Sequence, residues 1–108
     1  MKQTEMFCGE IGEGMLFHFY PSAAVVKMCG VSADKVHKVT VTEVSEVVEQ
    51  TKATGTEAYF AWWDNEDQRF VHVYPSFLQV DVCFPYGVKG AQQAGKGMAY
   101  QVEVRIIE

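Results

Sequence analysis

The pentapeptide His18-Phe19-Tyr20-Pro21-Ser22 returns as His72-Val73-Tyr74-Pro75-Ser76, and the offset, 72 − 18 = 54, is half of the 108-residue chain. A gapless overlay of the second half on the first also puts Val26 on Val80, Cys29 on Cys83, Lys35 on Lys89, Val48 on Val102 and Glu49 on Glu103. Two readings fit. Either residues 1–54 and 55–108 are remote copies, or two strand ends have solved the same turn problem with the same residues.

A chain of this length makes a single domain, 1–108, with a modest interior. Yet 48% of its residues are hydrophobic and 13% aromatic, more than one small core readily hides, so self-association as a homodimer is the expected outlet. The formal charge of −5, from 14 acidic and 9 basic residues without a Lys/Arg cluster, argues against a nucleic-acid partner. Cys8, Cys29 and Cys83 contain no C-x-x-C pair and are too few for a disulfide framework, which fits a reducing compartment. Met1 to Glu13 carries no apolar run, and no stretch is long enough to span a bilayer. These features predict a cytoplasmic, acidic protein that leaves membranes alone.

Along the chain, Met6 to Gly14 reads as an ordered turn or short edge segment. Met15 to Tyr20 is a strand stopped by Pro21. Ser22 to Gly30 is a two-turn helix, capped by Ser22 and ended by Gly30. Val36 to Thr51 is rich in Val and Thr and reads as a long bent strand, with a helix over 42–52, ended by Gly55, as the alternative. Tyr59 to Trp63, Arg69 to Tyr74 and Leu78 to Cys83 read as three strands of a meander, Phe84 to Gly97 as an irregular loop, and Tyr100 to Ile107 as a closing strand. The expected fold is α+β, a twisted and mainly antiparallel sheet of five or six strands with one or two short helices.

Strict alternation along the meander gathers Phe60, Trp62, Phe70, His72, Tyr74, Phe77, Gln79 and Asp81 on one face. The same rule puts His18 beside Tyr20, so that two His-x-Tyr pairs line one groove if the two strands are neighbours. An aromatic face with these polar groups suits a ligand pocket or a subunit interface. The favoured function is a non-catalytic small-ligand-binding or protein-interaction module without a cofactor. The alternative is a small cofactor-independent enzyme with His72 as general acid/base, oriented by Asp81.

Other motifs carry less. Gly90 to Gly97 resembles a phosphate loop but has Gly97 in place of the magnesium-binding hydroxyl, and too little chain follows for a nucleotide fold. A zinc site from His18, Cys29, His72 and Cys83 lacks close ligand pairs, so the thiols read as buried and inert. His37 reads as solvated. The acidic turn Asp64 to Gln68 reads as a solvated hairpin tip.

Overall fold

A computed structural model describes residues 1–12, 14–47, 59–84 and 86–108. Its six strands are β1 (Gln3–Ile11), β2 (Met15–Tyr20), β3 (Val36–Val47), β4 (Tyr59–Asp64), β5 (Arg69–Tyr74) and β6 (Gly97–Ile106). They form one antiparallel sheet in the order β2-β1-β3-β6-β4-β5. Three short helices, α1 (Ala23–Met28), α2 (Phe77–Val82) and α3 (Gly87–Gln93), complete an α+β fold, with a 3-10 turn at Ala33–Lys35. Among the described residues, no helix is long and apolar enough to cross a membrane.

The second half of the sheet repeats the order of the first. β1 lies between β2 and β3, and β4 lies between β5 and β6. β2 and β5 have the same length at an offset of 54 residues, and so do α1 and α2. Phe7 pairs with Tyr20 as Phe60 pairs with Tyr74, and Gly9 pairs with Phe17 as Trp62 pairs with Val71. At the centre β3 meets β6, with Val41 opposite Val104 and with Val39–Ile106 and Glu43–Val102 placed evenly on either side.

The outer strands do not hang free. β2 and β5 come into contact, so the sheet curls towards a barrel. Two backbone groups bridge the gap. Leu16 N–H donates to the Tyr59 hydroxyl (3.2 Å), and Phe70 N–H donates to Thr4 Oγ1 (2.8 Å). Leu16 and Phe70 are 54 residues apart, so equivalent positions on the two edges are tied across to the other half.

Inside the curl lie Met6, Cys8, Leu16, Val39, Val41, Ala61, Trp63, Phe70, Val73, Tyr100 and Val102. A second apolar layer forms outside the sheet, where Phe60, Trp62 and Ala99 are covered by Phe77 and Val80 of α2 and by Val88 and Ala91 of α3. In the first half Gly9 stands where β4 has Trp62. A Cβ on Gly9 would come within 2.8 Å of Val31, so the missing side chain lets the loop after α1 close onto the sheet, whereas the indole of Trp62 is covered by an additional helix.

Several expectations are corrected. Met6 to Gly14 is mostly β1, an internal strand that puts Met6 and Cys8 into the core while Glu5 faces solvent. Leu78 to Cys83 is helix and not strand. Its buried residues, Phe77 and Val80, follow helical spacing, Leu78 and Val82 are 55% and 74% exposed, and Ser76 Oγ accepts from Gln79 N–H (3.3 Å) as an N-cap. Ser22 holds the same place before α1 without a side-chain cap bond. The expected loop from Phe84 to Gly97 contains α3, tied down by Asp81 Oδ1, which accepts from Val88 N–H (2.6 Å). Gly87 has φ +75°, and a Cβ there would meet Asp81 Oδ1 at 2.9 Å, so this tie needs glycine. The strand reading of Val36 to Thr51 holds to Val47. Residues 48–58, with Val48, Glu49 and Gly55 of the sequence argument, lie outside the described residues.

The premise for a homodimer also falls. Trp62 is 1% exposed beneath α2 and α3, and Phe70 is 0% exposed inside the curl. Both faces of the β4–β5 half of the sheet are therefore covered within one chain.

Candidate functional site

Each outer strand breaks its ladder at its histidine. Between the pairs Gly9–Phe17 and Phe7–Tyr20, the single residue Cys8 stands opposite two, His18 and Phe19. Between Trp62–Val71 and Phe60–Tyr74, Ala61 stands opposite His72 and Val73. These are β-bulges, and the first residue of each is left-handed, with φ +53° at His18 and +52° at His72. Glycine normally takes such a position, because an L side chain there costs roughly 1 to 2 kcal/mol. Strain placed twice, on opposite edges that face each other, marks this region as a candidate site.

The bulge also reverses side-chain parity, which is why strict alternation misplaced the faces. Phe70 and Val73 both point inward with Trp63, whereas Val71 and Tyr74 pack with the outer layer of Phe60 and Trp62. Trp63, not Trp62, pairs with Phe70, and their rings meet edge to face with centroids 5.0 Å apart. The eight residues expected on one face are thus divided. Phe70 is core, Phe60, Trp62 and Phe77 lie under the helices, Gln79 is exposed on α2, and Asp81 secures α3.

His18, Tyr20, His72 and Tyr74 do share one groove. Its volume is about 410 Å3, and it runs between the two strand edges with Met6, Phe19, Arg69, Val71 and Val73 completing the lining. The sequence offset reappears in it, since His18, Phe19 and Tyr20 lie across from His72, Val73 and Tyr74. His18 is held between two rings, 4.4 Å from Phe17 and stacked at 6.5 Å on Tyr20. His72 packs edge-on against Phe84 at 5.1 Å, and Phe84 in turn leans on Trp62 at 4.4 Å.

Each tyrosine is linked to the cysteine nine residues after it. The Cys83 thiol and the Tyr74 hydroxyl are hydrogen-bonded (3.2 Å), and so are Cys29 and Tyr20 around α1. The bond to Cys83, followed by burial and by the charges that Cys83 and Tyr20 acquire, pushes Tyr74 up to about 12. The bond to Cys29 raises Tyr20 as well. Both phenols stay protonated over the whole physiological range. His72 keeps an exposed edge, but the loss of water around its ring lowers its pKa below 6.5, against the smaller opposing field of Asp64. The shift favours its neutral form.

The expected His72–Asp81 dyad is not formed by a hydrogen bond, because Asp81 Oδ1 is engaged by the backbone of α3. Cys29 and Cys83 are exposed, and only Cys8 is buried, with its thiol pushed up to about 12 by burial and Glu10. Among the described residues no three His, Cys, Asp or Glu side chains converge as a metal site. His37 is not merely solvated, since its Nε2 lies 2.7 Å from Glu10 Oε2 in the pairing of β1 and β3. The acidic hairpin tip folds on itself, Asp64 Oδ1 accepting from the N–H groups of Glu66 (2.7 Å) and Asp67 (3.1 Å).

Sequence reasoning missed Arg69 as a groove residue, because it was counted only as the first residue of a strand. Its placement at the foot of the histidine-bearing edge was the available signal. A second concavity of about 930 Å3 lies beside Met15, Tyr59 and Val102. Its polar groups are already committed, the Tyr59 hydroxyl to Leu16 and Glu103 to Arg105 (2.8 Å).

Comparison of the chain with protein-family models, with curated proteins and with solved structures finds no match.

Proposed function

We propose that this protein is a non-catalytic small-ligand-binding module whose site is the groove between β2 and β5, where two copies of one ββα unit meet. The observation that carries this is the convergence of both His-x-Tyr segments on one concavity. Its volume falls at the lower end of the range for small-ligand sites, ~300 to 1,000 Å3. The mixture is also suitable, with an apolar lining and a few polar groups. The matching order, register and backbone strain of the two halves support descent from a duplication.

The acid/base alternative has less behind it, because Asp81 serves α3 and leaves His72 without the orienting carboxylate that reading required. A fragment screen by two-dimensional NMR tests the proposal. Hits should shift the amide signals of His18, Tyr20, His72 and Tyr74 together, and His72→Gln should change their affinity only modestly. Hits that map elsewhere, or turnover that drops about 100-fold in His72→Gln, would reject the binding reading.

A further inference from the structure

The groove has a polarity that its two-fold layout hides. Every polar side chain lining it can donate a hydrogen bond: the hydroxyls of Tyr20 and Tyr74, the imidazoles of His18 and His72, and the guanidinium of Arg69. None of its described lining residues is acidic, although the chain as a whole carries −5.

Among the described lining residues Arg69 carries the one permanent charge, and it breaks the symmetry. Arg69 begins β5, and the equivalent position at the start of β2 is Met15, which is outside the groove lining. The internal partner of Arg69 is weak. Its Nε lies 3.9 Å from Asp67 Oδ2, and both side chains are well exposed, a pairing that contributes little in water. Apolar contacts come from Met6, Phe19 and Val73, which belong to or pack on the inner core.

Resting on the proposed binding function, we infer that the groove selects a small organic monoanion, a carboxylic acid with a compact aryl or alkyl body. Its carboxylate is held at the Arg69 end by the guanidinium fork, and its body lies over Met6, Phe19 and Val73. Arginine pairs with a carboxylate through two parallel N–H bonds, which gives orientation as well as affinity. The tyrosine hydroxyls supply further donors without adding charge. A cationic ligand would find no carboxylate to pair with among the described lining residues.

The test uses matched pairs, each an aryl or alkyl carboxylate with its primary amide, titrated into the full chain by calorimetry and two-dimensional NMR. The acids should bind about tenfold more tightly than their amides. Arg69→Met, which places at 69 the residue type the chain carries at the equivalent Met15, should abolish that preference. Arg69→Lys should retain part of it. A wild type that binds acid and amide equally in the groove would overturn the inference while leaving the binding function intact. Amides that shift the groove signals while acids do not would overturn it too. If neither member of any pair shifts the signals of His18, Tyr20, His72 and Tyr74, both fail.

Discussion

Replacing the two bulge histidines separates strained backbone from an ordinary strand. In a regular strand valine outranks histidine, and glycine costs about 0.5 to 1 kcal/mol. At φ +53° and +52° the order should invert. Glycine escapes the left-handed penalty of roughly 1 to 2 kcal/mol. Against this stand its additional loss of chain entropy, about 0.5 to 1 kcal/mol, and the lost ring contacts, His72 on Phe84 and His18 on Phe17 and Tyr20, worth about 0.5 to 1.5 kcal/mol each. His72→Gly should therefore lie within about 1 kcal/mol of the parent, and His18→Gly, which gives up two ring contacts, up to about 2 kcal/mol below it. His72→Val and His18→Val add β-branching to the same backbone and should lose about 1 to 2 kcal/mol. At position 72 the gap of about 1.5 kcal/mol between the glycine and valine forms corresponds to a urea midpoint difference of about 0.5 to 1 M. Equilibrium unfolding followed by fluorescence of the buried Trp62 and Trp63 measures it. Valine variants as stable as the parent, with glycine variants below them, would refute the bulge geometry and the strain argument with it.

Two further outcomes follow from burial. Ellman's reagent should titrate Cys29 and Cys83 rapidly in the folded protein and reach Cys8 only on denaturation, because Cys8 is 0% exposed; three fast thiols would contradict the fold. Trp62→Glu should unfold the chain and not merely dissociate it, since loss of a buried Trp alone costs about 3 to 5 kcal/mol and an unpaired carboxylate adds to that; a well-folded variant by circular dichroism, smaller than the parent on size exclusion, would restore the dimer argument.

Local signals in the sequence located β2, β5 and α1 almost to the residue, because proline ends both strands and Ser22 and Gly30 frame the helix. They failed where one pattern serves two structures. Leu78, Val80 and Val82 alternate as a strand would, yet Phe77, Val80 and Phe84 also keep helical spacing, and the cap at Ser76 decides for helix. β1 was concealed by its glycine and glutamates, whose cost is offset by pairing on both sides. The groove was legible only in part. Its His-x-Tyr pairs were visible as a repeat, but the face assignment assumed unbroken alternation, and one left-handed residue in each edge strand shifts everything beyond it to the opposite side. Arg69 could not be placed without the curl that brings the two edges together.

The position of β6 has a consequence during synthesis. Strands β3 and β4 each lack one neighbour until Gly97–Ile106 has been made, since that last strand fills the space between them. A partly translated chain therefore presents the Val- and Thr-rich β3 as an open template for pairing with other nascent chains. Keeping that edge unoccupied while about fifty more residues emerge, at roughly 5 to 20 residues per second, exposes it for several seconds. The protein's yield in cells should accordingly depend on how fast its second half is translated and on chaperones that hold β3 in the interval.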